Sequence, residues 1–390
     1  MIKILSAVVF LSSILFAQIS FDEFLNNALK NSPYLKSNSL SIQQATLEGA
    51  VLQRYENPSL ELEYAQFKPN VDANDNGYRV AVSQPLRLWG IGNDKEHLAK
   101  SLESKSKANY TLSYANLSKN ISLLFVAYAQ KRELYSLAKE ELEIALRIYE
   151  ISKARYEAGT ISQGVMLQAK VDFEMIDINL DSLHLSSNKE YFKLLEVAGY
   201  KEKIELNHHY NFKIQSDLKS LSNPDLKYID SLKDEALATS KVNSNKLEYV
   251  DLLAEFENEP DQDIFRVGVS IPLAIFNTKK EEMQIAKLES NKAKLIAKKQ
   301  TNKITLSMSK LSEQRGLLIG LQAKNSKTLD TQEKLLAMFE ESYKIANVNL
   351  LELQNIKNRV IETKESLIKI KFALDANTIN TNYIAGAYNE

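Results

Sequence analysis

The chain has 390 residues, 44% of them hydrophobic, and its 49 basic and 50 acidic residues leave a net charge of -1, which offers no bulk attraction to nucleic acid. The absence of cysteine excludes disulfides, thiolate metal sites, cysteine nucleophiles and cysteine-linked lipid anchors. A mean hydropathy of -0.30, with only 11 glycines and 7 prolines, argues against a polytopic helical membrane protein and a turn-rich all-β fold, and indicates a long, charged, helix-rich chain.

The first seventeen residues have the layout of a secretory signal peptide. Lys3 supplies a positive charge, residues 4–16 are mostly apolar, and Ala17 is a small residue at the position of cleavage. The alternative is a membrane anchor, but the apolar run is shorter than the roughly 18–20 residues that a spanning helix needs. We therefore predict a signal peptide at residues 1–17 and export of the remaining chain.

The first half of the exported chain is predicted to form a helix, two strands, a long helix and a returning helix. Residues 68–77 combine Pro and Gly with several Asn and Asp residues, which is typical of a turn between strands. Gly159 and Gly164 bracket a short turn between two helical segments. The predicted elements are a helix at 21–53, strands at 57–67 and 78–88, a long helix at 91–156 and a returning helix at 165–198.

The second half repeats this plan at a constant offset of 187 residues. Residues 80–86 (VAVSQPL) correspond to residues 267–273 (VGVSIPL). A single offset shared by many landmarks indicates an internal duplication, and the period is far longer than the roughly 20–50 residues of a solenoid repeat. Further pairs at this offset are Leu60-Glu61 with Leu247-Glu248, Arg79 with Arg266, Tyr156 with Tyr343, and Ala198-Gly199 with Ala385-Gly386.

The duplication divides the exported chain into three predicted parts. We expect a first repeat at 18–199, a polar connecting segment at 200–222 and a second repeat at 223–390. The elements predicted for the second repeat are a helix at 224–242, strands at 246–256 and 265–273 around a loop at 257–263, a long helix at 279–343 and a returning helix at 350–383.

The long helix of the first repeat carries two apolar stripes. One follows strict heptad spacing and is interrupted by Lys131 and Ser152, and the other runs beside it. Two stripes require a neighbouring helix on each side. An ordinary helical bundle satisfies this pattern, and so does a wall of helices closed into a cylinder. The helix length, about 99 Å for residues 91–156 at 1.5 Å per residue, favours an elongated assembly.

The predicted strands alternate between apolar and polar residues and are long enough to cross a membrane, which takes about 9–11 residues. The segment 246–256 alternates less cleanly, because Asp251 and Glu255 interrupt it. A half-buried sheet on a helical layer explains the alternation as well as a barrel with a wet interior does. Four strands cannot close a membrane barrel and open edges are unstable in lipid, so a barrel requires oligomerisation. Three chains would supply twelve strands.

Four short motifs occur in a fixed order along the chain. They are Leu25, Ala28 and Leu29 followed by residues 31–33 (NSP), residues 83–86 (SQPL), residues 156–163 (YEAGTISQ), and a second hairpin at 343–353. Together, ordered and duplicated, these motifs resemble those of the TolC-like outer-membrane efflux protein family, the outer membrane factors of tripartite efflux systems. The resemblance covers roughly residues 20–388.

The resemblance implies a mainly α fold with a small β part. Each chain would contribute an internally duplicated α-helical tunnel and four transmembrane strands, and a homotrimer would complete a 12-stranded β-barrel. The protein would lie in the outer membrane, contact its lipid and extend into the periplasm. Its partners would be a periplasmic adaptor (membrane fusion) protein and an inner-membrane efflux pump. The lipid-bearing cysteine of some relatives is absent here, so trimer and barrel alone would anchor the protein.

We expect functional residues at two places. Arg79 and Arg266 would line the barrel lumen, or alternatively reach the membrane interface. Glu352, repeated threefold, would place a negative ring near the tunnel mouth and favour cations, or alternatively serve as a solvated helix-start residue stabilised by the helix dipole. The residues predicted at the periplasmic entrance, where they would contact the adaptor, are Tyr156, Gly159, Thr160, Ser162, Gln163, Tyr343, Asn347, Asn349 and Glu352.

The two hairpins depart from the family pattern at two positions. Ala346 stands where the family often has glycine. The acidic residue six positions after that glycine is kept in the second hairpin as Glu352, whereas the first hairpin has Val165. The acidic residue of the family is therefore present at only one of the two hairpins.

Nothing in the sequence predicts catalysis. His208 and His209 have no third ligand at a metal-binding spacing, and the chain has no P-loop, dinucleotide fingerprint or nucleophile elbow. The acidic pair Glu140-Glu141 lies on a lysine-rich helix and is expected to be a solvated face. We expect no enzyme, no catalytic residue, no metal site and no cofactor.

Three functions stay open from the sequence. The first is the exit duct of a tripartite efflux system for small molecules or metal ions. The second is the exit duct of a type I protein-secretion system, and the third is a non-conducting periplasmic coiled-coil protein. Heat-resistant trimers from outer membranes would separate the third from the other two, and the neighbouring genes would separate the first two.

Overall fold

The computed structural model describes residues 18–67, 75–215, 223–345 and 347–388. The predicted signal peptide and Ala346 lie outside the described residues, as do parts of the predicted loop at 68–77 and of the connecting segment at 200–222. Within the described ranges, the elements in chain order are α1 (Phe21–Asn31), α2 (Pro33–Gln53), β1 (Ser59–Phe67), β2 (Asp75–Arg87), α3 (Ile91–Glu157), α4 (Gln163–Ala198), α5 (Pro224–Asn243), β3 (Tyr249–Glu259), β4 (Gln262–Ser270), α6 (Lys280–Lys344) and α7 (Leu350–Ala385).

The chain is mainly helical with one four-stranded antiparallel sheet, as predicted. No helix in the described ranges combines the length and the apolarity of a membrane span. The element order of α2 to α4 is repeated by α5 to α7, and α4 and α7 have 36 residues each, at the 187-residue offset. The boundaries of the two repeats rest on sequence and stay a prediction.

The helix predicted at 21–53 is two helices, separated at Ser32. Pro33 has no backbone N–H to donate and disfavours helical backbone at the preceding residue. Ser32 accordingly has an extended ψ of 117° and ends α1, while Pro33 becomes the first residue of α2. The α1 helix begins after Ser20, whose side chain accepts a hydrogen bond from the N–H of Glu23.

The sheet has the order β1-β2-β3-β4, and the ladder sets a register that the sequence did not predict. A turn at Pro260 and Asp261 joins β3 and β4 in place of the predicted seven-residue loop, so β3 starts three residues later than expected. Asp251 and Glu255 share one face of β3 with Glu257. Leu253 lies on the same face, so the alternation of this strand is imperfect, as predicted.

The described chain forms two compact units. The sheet unit comprises the described residues of 33–115 and 219–307, and the hairpin unit those of 1–32, 116–218 and 308–388. The hairpin unit has one apolar cluster around Phe24, Ile121 and Ile379, and another beside the turns that precede α4 and α7. This second cluster holds the helix ends beside the two turns in place.

Candidate functional site

The first hairpin joins α3 to α4 through an exposed five-residue turn. Gly159 has a positive φ of 71°, in the left-handed region that glycine adopts without strain. Its N–H donates to the carbonyl of Tyr156 at 2.9 Å, and both the N–H and the hydroxyl of Thr160 donate to the carbonyl of Arg155 at 2.9 Å. Ser162 is the N-cap of α4, but its side chain makes no capping hydrogen bond.

The second hairpin joins α6 to α7, and a capping box stabilises the start of α7. The Asn349 side chain accepts from the N–H of Glu352 at 2.9 Å, and the Glu352 carboxylate accepts from the N–H of Asn349 at 3.4 Å. Asn347 donates its N–H to the carbonyl of Ser342 at 3.0 Å. Glu352 is thus a helix-start residue whose side chain stays exposed, which leaves it available for a ring of charge in an oligomer.

Tyr343 is the predicted entrance residue whose placement differs most from expectation. Its side chain is only 1% exposed, and its hydroxyl lies 2.8 Å from that of Ser152, a buried serine of α3. The Arg155 guanidinium donates to the Tyr343 carbonyl at 2.9 Å and stacks 4.5 Å from the centre of its ring. Contacts with α3 therefore cover the Tyr343 side chain, and its contact with an adaptor stays a prediction. Its equivalent Tyr156 is 38% exposed.

The sequence reading missed Ser152 and Arg155 as partners of Tyr343. Ser152 interrupts the first heptad stripe, and a polar residue at a buried seam position is the signal that it has a partner. The Ser152 hydroxyl also lies 2.8 Å from the carbonyl of Ile148, one turn earlier in α3. The remaining predicted entrance residues are exposed on the two turns and the helix starts that follow them: Tyr156, Gly159, Thr160, Ser162, Gln163, Asn347, Asn349 and Glu352.

A buried ion cluster lies behind the hairpins and joins three helices. Lys357 of α7 is 1% exposed, and its ammonium lies 2.8 Å from Asp172 of α4 and 3.6 Å from Glu141 of α3. Burial raises the pKa of the Glu141 carboxyl, and the charge of Lys357 opposes this shift. The expectation of a solvated face at Glu140-Glu141 is thus wrong for Glu141. A buried lysine on α7 requires tertiary contacts that no local pattern specifies.

Lysines at seven-residue intervals along α7 continue this contact with α3. Because the heptad spacing returns each lysine to the same side of the helix, all of them meet carboxylates of that neighbour. The series fixes α7 against α3 over two heptads. Its further members are Lys364, which lies 2.5 Å from Glu140 and 3.0 Å from Glu333 of α6, and Lys371, which pairs with Glu133.

The two arginines that were predicted to line a barrel lumen lie on the polar face of the sheet within a network of carboxylates. The Arg79 guanidinium contacts Glu61 at 2.9 Å, Glu63 at 2.8 Å and Glu255 at 2.9 Å. Arg266 contacts Glu255 as well, and Glu257 at 2.5 Å. The antiparallel register produces this arrangement, because it places Arg79 between Glu63 and Glu257 on neighbouring strands. The sequence identified the arginines but not their acidic partners.

The described residues contain no cluster of metal-ligating side chains. Among them, no group of three or more His, Cys, Asp or Glu side chains is placed to hold a metal ion. His208 and His209 lie side by side, with their rings 4.1 Å apart, and burial lowers the pKa of His208.

Comparison with known proteins finds one matching family model and several similar structures. Residues 24–186 match the model of the outer membrane efflux protein family, whereas no curated protein matches the chain in sequence. The fold is similar to that of the CmeC outer membrane channel of Campylobacter jejuni (TM-score 0.72, 15% identity, 95% of this chain and 86% of that one). It is also similar to the fold of the outer membrane protein VceC of Vibrio cholerae (TM-score 0.75, 14% identity, 93% of this chain and 95% of that one).

The open state of the MtrE outer membrane channel of Neisseria gonorrhoeae is a third similar structure (TM-score 0.75, 14% identity, 93% of this chain and 88% of that one). At such low identity these likenesses establish the fold. Residues 24–186 thus match the outer membrane efflux protein family in sequence, and the described chain has the fold of outer-membrane channels, which confirms the resemblance to the TolC-like outer-membrane efflux protein family.

Proposed function

We propose that three copies of this chain form the outer-membrane exit duct of a tripartite efflux system. The proposal rests on the sheet, which has an exposed apolar face. The charged side chains lie on its opposite face, where they form ion pairs with one another. Leu60, Leu62 and Val267 are largely exposed on the apolar face, whereas Arg79 and Arg266 are paired on the polar face. Water disfavours such a contiguous apolar surface, while lipid covers it at no cost.

The edges of the sheet support oligomerisation. Within the described chain β1 and β4 each pair on one side only. Unpaired backbone groups are expensive in hydrocarbon, so a membrane sheet must close on itself. Three copies, with β4 of one pairing to β1 of the next, would close twelve strands into a barrel whose polar face, with Arg79 and Arg266, lines the lumen.

An unpartnered stripe on α4 supports the same assembly in the helical part. Its members are exposed apolar side chains at intervals of three, four or seven residues, the spacing of a coiled-coil seam. No helix of the described chain covers this stripe, and a second copy would do so. The stripe consists of Leu167, Val171, Met175, Ile178, Leu185 and Phe192.

The hairpins would form the periplasmic mouth of the duct. We propose that their tips close the mouth at rest and that a periplasmic adaptor, bound to an inner-membrane pump, splays them. The second hairpin is held on α3 by Tyr343, Ser152 and Arg155, so it moves only if these contacts break. The first hairpin lacks an equivalent contact at Tyr156, which suits it to move first. Small molecules or metal ions delivered by the pump would then pass outward.

Membrane fractionation with a matched pair of sheet variants tests the assembly. We expect heat-resistant trimers in outer-membrane fractions of cells that express the wild-type chain. Val267→Arg places a charge on the apolar face and should reduce the trimer strongly, because a charge facing lipid costs about 2–4 kcal/mol at mid-depth. Gly268→Arg adds the same charge on the opposite face, where the space beside Gly268 is open, and should leave the trimer intact. A monomer in the soluble periplasmic fraction would contradict the proposal.

A further inference from the structure

Two fully exposed aromatic side chains occupy equivalent positions of the two repeats. Trp89 lies two residues after β2 and Phe276 six residues after β4, and the 187-residue offset relates them. Both side chains project from the chain with essentially their whole surface exposed, so neither packs against the described residues. Large aromatic side chains lose favourable burial when they face water. Their exposure in both repeats therefore points to a partner outside the chain.

A second aromatic pair lies at the opposite end of the same sheet. Tyr78 and Phe265 are equivalent at the same offset, and each precedes its exposed partner by eleven residues. Both are exposed on the apolar face. From Tyr78 the strand β2 runs nine residues further to Arg87, a rise of about 31 Å at about 3.4 Å each, or roughly 22–25 Å along the membrane normal at a tilt of about 35–45°. That distance is close to the roughly 25 Å apolar band of outer-membrane barrels.

Polar and basic groups gather at the sheet end that carries Trp89. The Arg87 guanidinium donates to the carbonyl of Gln53 at 3.1 Å and stacks 4.6 Å from the ring centre of Tyr55. Lys95 and Lys279 both pair with Glu248, at 3.0 and 2.7 Å. The apolar face thus ends within a few residues of a charged, hydrated zone. Aromatic and basic residues concentrate at such a boundary when a protein sits in a bilayer.

We propose that Trp89 and Phe276 are lipid contacts that seat in the headgroup boundary of the bilayer and fix the depth of the barrel. The inference rests on the proposed function, since it requires the sheet to be in a membrane. A trimer would present six such side chains in one ring. Aromatic rings suit this zone because their faces are apolar while the indole N–H of Trp89 can bond to water or headgroups.

The chain offers a direct probe, because Trp89 is its only tryptophan. The purified protein is reconstituted into phosphatidylcholine vesicles that carry bromine either high or low on the acyl chains. Bromine quenches indole fluorescence only at contact range. We expect Trp89 to be quenched at least twofold by the high bromines, less by the low ones, and only weakly by aqueous acrylamide.

Two relocated probes serve as matched controls. The double variant Trp89→Phe with Phe276→Trp moves the single tryptophan to the second repeat, and the same depth profile is expected. Trp89→Phe with Phe192→Trp moves it to α4, outside the sheet, and no quenching by either lipid is expected. Replacing both anchors in Trp89→Ser with Phe276→Ser should increase severalfold the fraction of trimer that an alkaline wash removes from membranes.

The outcomes separate this inference from the proposed function. Vesicles that conduct ions while Trp89 is quenched by acrylamide and not by bromolipid overturn the lipid contact and leave the duct intact. Conducting vesicles in which Trp89 is shielded from both quenchers overturn it as well, since the side chain is then buried between copies. Trimers that float with the vesicles but conduct no ions contradict the duct itself.

Discussion

The two returning helices, α4 and α7, have the same length and corresponding sequence positions, yet they are used differently. Seventeen of the 36 residues of α7 are buried, compared with six of the 36 of α4. The helix α7 is packed into its own chain and carries the buried Lys357, while α4 exposes an apolar stripe. The duplicated helix thus has two uses. In the second repeat α7 forms part of the protomer core, and in the first repeat we assign α4 to contact with another protomer.

The same difference recurs at single positions. Tyr343 is buried while its equivalent Tyr156 is exposed. The N-cap of α7 makes a capping box, whereas the N-cap of α4 makes no side-chain bond. Each equivalent pair therefore supplies its own control: the same substitution is made once in each repeat, and the difference measures what the second repeat has acquired.

The tyrosine pair should show the largest difference. Tyr343→Ala removes a buried ring and leaves Arg155 without its stacking partner, so the free energy of unfolding should fall by about 4 kcal/mol. Tyr156→Ala removes a partly exposed ring and should cost below about 1 kcal/mol. Urea titration of the detergent-solubilised protein, followed by circular dichroism, measures both. Equal losses would show that the two tyrosines are used alike and would contradict the burial difference.

The lysine pair is expected to come next. Lys357→Met leaves the carboxylates of Glu141 and Asp172 without their buried cation, and we expect a loss of about 3 kcal/mol, because removing one partner of a buried ion pair strands the other. The equivalent Lys170 is exposed and pairs only with Glu174, one turn away. Lys170→Met should therefore change the free energy of unfolding by less than about 0.5 kcal/mol. A stable Lys357→Met protein with unchanged midpoint would refute the cluster.

A buried carboxyl in α7 predicts a dependence on pH. Burial raises the pKa of Asp375 to about 6, against the opposing charge of Lys371. A raised pKa means that the carboxyl favours the folded state when it is protonated, so its contribution is fully present below about pH 4 and is lost as pH rises through about 6. The loss between pH 4 and pH 7 should be on the order of 1–2 kcal/mol.

The residue of the first repeat that corresponds to Asp375 is Asn188, which suggests asparagine as the matched substitution. Asp375→Asn keeps the shape of the side chain and removes the titration, so the variant should lose less stability than the wild type between pH 4 and pH 7. Parallel urea titrations at the two pH values measure the difference. If both proteins lose stability equally over this range, Asp375 does not titrate as its burial requires.

The N-caps should give the smallest difference. Asn349→Ala removes the side chain that accepts from Glu352 and should cost about 1 kcal/mol. Ser162→Ala removes a side chain that makes no capping bond, so the free energy of unfolding should hardly change. The comparison is read from thermal midpoints of the two variants. A Ser162→Ala loss as large as that of Asn349→Ala would mean that both hairpins are capped alike.

Sequence alone predicted the features that depend on local pattern. The turn signals beside the long helices and the 187-residue repeat located α3 and α6 to within a residue, and the alternation of polar and apolar residues located four strands. Gly159 and its neighbours marked the first hairpin, because a turn with a positive φ favours glycine. Pro33 indicates the break between α1 and α2, but the prediction of one helix at 21–53 did not take it into account.

Features that depend on distant contacts could not be predicted in this way. The face to which Glu255 belongs is decided by the register of β3 on β2, and a short turn at Pro260 shifted that strand. The burial of Lys357 and Tyr343 is decided by which side of α7 and α6 meets α3. Periodicity gives a helix its faces, but it does not say which neighbour covers each face.

The current through single channels distinguishes an open duct from a membrane assembly without a pore. Purified heat-resistant trimers of the wild-type chain are added to a planar lipid bilayer under an applied voltage. If three copies form a barrel around a pore, we expect discrete, reproducible steps of ionic current, one for each inserted trimer. Trimers that insert into the bilayer and carry no current would contradict the account, because the sheet would then form a membrane assembly without a pore.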